Sequence, residues 1–521
     1  MISKKKLAIC LFLFASIVLL YTMYNVEILF KLNRKPFVTH LPLVVIVIGT
    51  RPEAIKCAPL IAELKSAEYR KYFDLLVLST GQHREILKKS LDSFGQKVDI
   101  DLNLMTNNQE LGSFFAKAYA RITQELLTLK KVSLVLVQGD TTTALAAALA
   151  SSYQHIPVGH VEAGLRSYDM ENPFPEEINR KLIDSIATLM FAPTSFSREA
   201  LIREGVCPNR IFVTGNTGID AFFSLQSQTP QFNLPAIFDK INAFKSSQQP
   251  SRIVILITMH RRENIASMRE MCLAIKAIVE KSGGNIMAIL PVHPNPNVKS
   301  TVMSILSSVN NIHVVEPISY DLFPHLINKV DIIMTDSGGI QEEASSIGKP
   351  IILMRETTER PEGVYLGTIQ RIGVKYGDIL SAVNKSIKNL KENTNKTDKL
   401  FLFGDGNASR RIGDTIFKFL FFNNLDTDNC STIMIQNELA EKVYSNLTGI
   451  YMHQTVTPVR SEKPVQPYQK RKSDLVDRSK PRDRLTMDEI FKLPSKYNPN
   501  KRDSDDFAIT AIVSLYRRPN I

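Results

Sequence analysis

From residue 43 onward, short runs of Val, Ile and Leu alternate with amphipathic stretches, and they do so in two series. The first comprises Leu43–Ile48, Leu75–Ser79, Leu134–Val137, Val158–Val161, Leu189–Ala192 and Ile211–Thr214. The second comprises Ile253–Thr258, Ile286–Val292, Ile312–Val315, Asp331–Thr335 and Ile351–Met354. A strand that is apolar at nearly every position, rather than every second one, must be covered on both faces. Helical connections between such strands give parallel sheets. The sequence therefore predicts an α/β protein with two doubly wound, Rossmann-like domains, over 41–215 and 216–390. In open parallel sheets, ligands bind beyond the carboxyl ends of the strands. The chemistry should lie in the residues that directly follow each run.

The two ends read differently. Lys4, Lys5 and Lys6 precede an uncharged apolar stretch from Leu7 to Tyr24. Its length, at ~1.5 Å per helical residue, approaches the hydrocarbon thickness of a bilayer. A bulky exit at Tyr24-Asn25-Val26 does not resemble a signal-peptidase site. Residues 1–40 are expected to form an uncleaved, single-pass anchor, with a helix near 7–24. Five Asn-x-Ser/Thr sequons, at Asn384, Asn395, Asn407, Asn429 and Asn446, favour a type II protein in the Golgi or endoplasmic reticulum with a lumenal body. The positive charges flanking the apolar stretch are nearly balanced, so a cytosolic body stays open. Residues 423–521 lose periodicity and become rich in Lys, Arg, Pro, Ser and Asp, the composition of a mostly disordered tail. The formal net charge of +12 is concentrated at the two ends, and the body between them is close to neutral. That distribution argues against nucleic acid as a partner. Cys10, Cys57, Cys207, Cys272 and Cys430 form no paired motif, so neither a disulfide framework nor a zinc site is indicated.

The residues after the strands carry the chemistry. Gly49-Thr50-Arg51-Pro52-Glu53-Ala54-Ile55-Lys56 follows the first run, and Arg51 and Lys56 can face an anion near a helix start. Gln138-Gly139-Asp140 ends another run, where Asp140 is placed to cap the next helix, to act chemically, or both. His160-Val161-Glu162 and Asn172-Pro173-Phe174-Pro175-Glu176 bring two more carboxylates to the same rim. In the second series, His260-Arg261-Arg262 suits a diphosphate. Ser337-Gly338-Gly339 opens a helix and forms a backbone anion cradle, with Glu343 in reach of ribose hydroxyls. No metal motif and no cofactor motif is present. His83, His155, His160, His293 and His325 are scattered, with structural roles as the default.

The strings GTRPEAIK, TGQHREIL, GDTTT, HVEAGLRS, PFPEEINR, HRREN, HPNP, DSGGIQEEA and TTERPEG, in this order, closely resemble the non-hydrolysing UDP-N-acetylglucosamine 2-epimerases. The resemblance spans about residues 43 to 420. One departure is Phe174, where the family commonly has Trp. The resemblance implies a GT-B-type fold with the nucleotide sugar in the cleft, and a last helix within 391–422 that crosses back to the first domain. It implies reversible epimerisation of UDP-GlcNAc to UDP-ManNAc by elimination and re-addition of UDP. Asp140, Glu162, Glu176 and His260 become the catalytic candidates. Arg51, Lys56, Arg180, Ser337, Gly338, Gly339 and Arg360 become the diphosphate ligands, and Glu343 the ribose ligand. A homodimer is also implied, as is a second, activating UDP-sugar beside Gln82 and His83. The competing readings are a membrane-anchored glycosyltransferase with the same fold and donor, and a nucleotide-sugar-binding protein without activity.

Overall fold

The computed structural model describes residues 41–422, apart from 82–83, 107–108, 130, 229–235, 247–251, 294 and 393–400. All of these belong to one compact unit of the chain. The expected anchor at 7–24 and the tail from 423 lie outside the described residues. Among the described residues, no helix is long and apolar enough to cross a membrane.

The first half runs β1 (Leu43–Ile48), α1 (Arg51–Leu64), β2 (Asp74–Ser79), α2 (Arg84–Asp92), β3 (Ile100–Asp101) and α3 (Leu111–Thr128). It continues with β4 (Val132–Gln138), α4 (Thr142–Ser152), β5 (Val158–Val161), α5 (Glu176–Ile186), β6 (Leu189–Ala192), α6 (Ser195–Arg203) and β7 (Ile211–Val213). Helices α7 (Thr217–Gln226) and α8 (Ala236–Ser246) lead to the second half. There follow β8 (Ile253–Thr258), α9 (Met268–Lys281), β9 (Ile286–Pro291), α10 (Pro296–Leu306), β10 (Ile312–Val315) and α11 (Phe323–Lys329). The half ends with β11 (Ile332–Thr335), α12 (Gly338–Ser346), β12 (Ile351–Leu353), α13 (Pro361–Tyr365), β13 (Ile369–Arg371) and α14 (Tyr376–Lys391), before a last helix, α15 (Ala408–Phe421).

The strands form two separate parallel sheets, ordered β3-β2-β1-β4-β5-β6-β7 and β10-β9-β8-β11-β12-β13. The apolar runs of the sequence supply their cores. Every residue of β1 and of β8 is buried. Full burial of a Val, Leu or Ile side chain contributes about 1.5–3 kcal/mol, so these two strands anchor their sheets. The sequence reading omitted β3 and β13. Both are edge strands of two or three residues that carry Asp101, Gln370 and Arg371 among their few positions. An edge strand needs little apolar surface, so hydrophobic patterning does not reveal it.

Strand order reverses between β1 and β4 in one sheet and between β8 and β11 in the other. Helices following the two strands at such a point leave in opposite directions and open a crevice, where ligands settle. The loops after these four strands are the GTRPEAIK, GDTTT, HRREN and DSGG segments. Topology thus gathers at two crevices the motifs that the sequence scatters over almost three hundred residues.

Helix α15 packs on α1 and α7. The phenol of Tyr69, buried after α1, donates to Asp414 at 2.7 Å. A Cβ on Gly413 would lie 2.7 Å from the Tyr69 ring. Overpacking a close contact costs ~1–3 kcal/mol, so Gly413→Val should lower the unfolding free energy by that amount and bring the denaturation midpoint down with it. An unchanged midpoint would show that the α15 contact contributes nothing to stability.

Candidate active site

The first crevice is built around Glu53. One of its oxygens accepts the N–H groups of Gly49 (3.1 Å) and Thr50 (2.7 Å) and the Thr50 hydroxyl; the other accepts the Thr141 hydroxyl at 2.7 Å. This buried carboxylate joins the loop after β1 to the loop after β4. A Cβ on Gly49 would overlap the hydroxyls of Thr143 and Thr80, which is why the turn needs a glycine. Arg51 opens α1 and is partly exposed at the crevice, near enough to Tyr320 of the second half to act on its hydroxyl. Lys56, one turn further on, reaches the centre of the site.

There it meets Glu162. This residue directly follows β5 and holds a left-handed backbone, φ +73°, uncommon for a residue with a side chain. Its carboxylate is buried and takes the Lys56 ammonium on both oxygens at 2.6 Å. It also accepts the Gln138 amide and the Asn216 amide at 3.0 Å, with Arg360 at 3.5 Å. Burial alone would raise the Glu162 pKa, but Lys56 and Arg360 outweigh it and hold the carboxyl below its ordinary range. Lys56, expected to face a diphosphate, is thus committed to a carboxylate.

Asp140 does not cap α4. Thr141 does, its hydroxyl accepting the Ala144 N–H at 3.0 Å. The Asp140 carboxylate instead receives the guanidinium of Arg180, at 2.9 Å from Nε and 2.8 Å from a terminal nitrogen. Arg180 also pairs with Glu177, so this second expected diphosphate ligand is occupied by carboxylates too. Glu177 is fully buried and accepts the N–H groups of Ser167 and Tyr168, both at 3.0 Å. It secures the start of α5, beside Glu176. One oxygen of Glu176 is buried without a partner. Burial, and then the nearby Asp140 charge, push its carboxyl upward and favour the protonated form. Phe174, two residues earlier, is more than half exposed.

In the second half, the fully buried Asp336 at the end of β11 organises the loop after β8. It accepts the backbone N–H groups of His260 and Arg261 and the Asn264 amide at 3.0–3.2 Å. The His260 ring places Nδ1 3.1 Å from the same carboxylate and stacks on His293, with centroids 5.9 Å apart. Arg261 acts on both Glu176 and Glu359, which places this loop beside the carboxylate rim. Ser337 precedes α12, whose first residues are Gly338 and Gly339. A Cβ on Gly338 would lie 2.8 Å from a terminal nitrogen of Arg360. The helix start and the Arg360 guanidinium are therefore in contact, as a phosphate site requires. Glu343 accepts the Tyr320 hydroxyl at 2.7 Å, and burial raises its carboxyl to about 7.

The structure thus joins Lys56, Glu162 and Arg360 in one cluster, with Asp140, Glu176 and Arg180 alongside. Gln82 and His83 lie outside the described residues. Sequence reasoning passed over Asn216, Glu342, Glu359 and Arg355. Glu342 is buried, accepts Arg360 Nε on one oxygen and receives the Asn216 amide at 2.6 Å on the other. Glu359 pairs with Arg355 (3.1 Å) and Arg360 (3.4 Å) and lies 3.8 Å from Arg180. Asn216 had a usable signal, since it lies three residues beyond β7, follows a glycine and caps a helix.

The Lys56–Glu162 pair has a consequence for stability. Removing one partner of a buried pair typically costs about 3–5 kcal/mol. A depressed carboxylate stabilises the fold above its unfolded-state pKa and loses that contribution as pH falls through the folded value. Lys56→Met should therefore be much less stable than the unsubstituted protein near neutral pH. The difference should shrink as Glu162 becomes protonated in acid. An equal difference at every pH would show that the ion pair is not its source.

A family model described as UDP-N-acetylglucosamine 2-epimerase matches residues 65–417. A Campylobacter jejuni protein named UDP-N-acetylglucosamine 2-epimerase is 42% identical over 379 residues, covering 72% of this chain and 97% of its own length. The crystal structure of UDP-GlcNAc 2-epimerase from Neisseria meningitidis bound to UDP-GlcNAc is 40% identical with a TM-score of 0.65, over 72% of this chain and all of that one. The Staphylococcus aureus MnaA–UDP co-structure is 38% identical with a TM-score of 0.66, over 73% of this chain and 97% of that one. The two parallel-sheet α/β halves are consistent with this GT-B-like architecture, and the chain belongs to the UDP-N-acetylglucosamine 2-epimerase family.

Proposed function

We propose that this chain interconverts UDP-GlcNAc and UDP-ManNAc by inverting C2, through elimination of UDP and its re-addition. The observation that carries this reading is the pairing of a carboxylate rim, Asp140, Glu162 and Glu176, with the Ser337-Gly338-Gly339 helix start and Arg360. Breaking the bond between the sugar's anomeric carbon and the diphosphate puts negative charge on the departing oxygen. The helix amides, Arg360 and the partly exposed Arg51 stabilise that charge. Loss of the C2 proton and its return on the other face need groups of opposite proton state. Glu162, held ionised by two cations, suits the accepting role. Glu176, whose protonated form burial favours, suits the donating role. Arg180 fixes the Asp140 carboxylate, and His260, steadied by Asp336, faces the leaving group. Glu343 holds the ribose.

The same reading extends to assembly and location. A homodimer is supported by an aromatic surface on α3 and α4, where Phe115 stacks on Tyr119 and Tyr119 meets Tyr153 edge-on. Tyr153 on this face is 75% exposed. A second UDP-sugar acting as activator remains part of the proposal through the TGQHREIL segment. Tethering by residues 7–24, with a lumenal body, rests on the apolar run and the sequons. Asn384 and Asn407 lie in or beside helices α14 and α15, and their sequon serines, Ser386 and Ser409, are buried. Glycosylation is therefore assigned to Asn395, Asn429 or Asn446, outside the described residues.

In deuterated water, with UDP-GlcNAc alone, the product should carry one deuterium at C2. Asp140→Asn, Glu162→Gln and Glu176→Gln should each slow turnover by about 10²–10⁴-fold, the usual cost of a positioned acid/base group. Acceptor-dependent sugar transfer without C2 exchange would overturn the reading. A protein lacking residues 1–40 should leave the membrane fraction, sediment as a dimer and keep its activity. A fragment that stays with membranes, or an active monomer, would remove the tether or the dimer respectively.

A further inference from the structure

The buried carboxylate of Glu342 is not used by the reaction as proposed, yet it sits at the centre of the site. One oxygen accepts Arg360 Nε and the other accepts the Asn216 amide at 2.6 Å. The same Asn216 nitrogen donates to Glu162 at 3.0 Å, so one amide spans both carboxylates. Asn216 is itself fixed, its side-chain oxygen accepting the Gly218 N–H at 2.9 Å and its backbone N–H donating to Phe403. Arg360 is shared unequally. It lies tight against Glu342 but 3.5 Å from Glu162. With Nε and one terminal nitrogen turned to these two carboxylates, the other terminal nitrogen lies against Gly338 at the helix start.

We propose that Glu342 is a positioning residue for the reaction: its ionised carboxylate holds Arg360 over the anion cradle and draws it off Glu162. Arg360 then meets the diphosphate in a fixed orientation, and Glu162 keeps enough basicity to take a proton from carbon. A guanidinium fully engaged with Glu162 would suppress that basicity. The charged and titratable groups facing Glu342 are Lys56 from α1, Glu162 after β5, Arg360 and Glu362 beside α13, and Glu343 and Tyr320. Burial pushes the Glu342 carboxyl up against the pull of Arg360 and Lys56, whereas Glu162 is held low. As pH falls, Glu342 takes up its proton before Glu162 does; like a glutamine there, it keeps an oxygen for Arg360 Nε but no longer draws the guanidinium off Glu162. Glu342 therefore sets the acid limb of the rate profile.

This inference rests on the epimerase reading of the site. The test compares the full chain with Glu342→Gln and Glu342→Ala, using UDP binding by calorimetry and UDP-GlcNAc turnover across pH. The Gln variant keeps an oxygen for Arg360 Nε but loses the charge. It should bind UDP as the unsubstituted chain does, while kcat falls about 10²-fold, the scale of a misplaced reacting group. The acid limb of its kcat/KM profile should move to lower pH, because the Glu342 titration is gone. The Ala variant should lose UDP affinity as well. If Glu342→Gln fails to fold, Asn216→Ala serves instead. It keeps both charges, should lower kcat, and should raise the acid limb, since Glu342, which sets that limb, loses the Asn216 N–H donor. A folded Glu342→Gln, or an Asn216→Ala in its place, with unchanged kcat and acid limb would overturn the assignment. Absence of C2 exchange in the unsubstituted chain would sink the epimerase reading instead, so the two failures are distinguishable.

Discussion

Two cations and two carboxylates, taken out of water together, set the geometry of this site. Lys56 and Glu162 come from the first half, and Arg360 and Glu342 from the second. Any one of these charges buried alone would cost several kcal/mol. Together they form a neutral set in which every charge touches an opposite one. Asn216, at the crossover between the halves, donates to both carboxylates. The contacts that cross the cleft are therefore also those that neutralise its lining. In a low-dielectric site each of them is stronger than in water, and an unmatched one is correspondingly more costly. A second chain of charges, Asp140–Arg180–Glu359–Arg355, runs beside the first and meets it at Arg360.

This pairing explains which parts of the molecule could be read from the sequence. Strands β1 and β8 are apolar at almost every position because both their faces are covered, and that signal survives in one dimension. The motif residues were legible because a parallel sheet places its chemistry after the strands. The partners of those residues were not. Lys56 and Arg180 look like anion ligands when only their charge is visible, and the sequence does not show that Glu162 and Asp140 claim them. Asp140 looks like a cap because it precedes a helix, but the next residue, Thr141, turns its hydroxyl to Ala144 and takes that role. Glu342 and Glu343 are adjacent and chemically alike. Only the helix start and the position of Tyr320 determine that Glu343 meets a phenol while Glu342 meets a guanidinium.

The same arrangement bears on how a diphosphate enters. Two or more negative charges arrive at a site whose own charges already balance. Binding must then draw on donors that the resting network leaves unused. The amides at the start of α12 and the partly exposed Arg51 are such donors, while the Arg360 nitrogen lying against Gly338 and the His260 ring, already paired with Glu359 and Asp336, are there to be shared. Because the network is neutral before the ligand binds, the cleft lining need not rearrange to stay solvated when UDP is absent. In the proposed reading these donors face the ligand in advance, which is the condition for electrostatic stabilisation without reorganisation at the moment of reaction.

Retaining UDP through the reaction follows from this division of labour. After elimination, the unsaturated sugar and UDP must stay side by side until a proton returns to C2 from the other face. Water that reached the anomeric carbon in that interval would hydrolyse the intermediate instead. Of the carboxylates proposed to move or steady protons, Glu162 is held by Lys56 and Asp140 by Arg180, cations that the proposed reading does not assign to the departing diphosphate. In that reading proton transfer and UDP retention fall to different side chains, with Arg360 in contact with both Glu162 and the helix start. In the proposed reaction, a change in the protonation of the rim then occurs without releasing UDP. That is the property separating an enzyme that adds UDP back from one that lets it go.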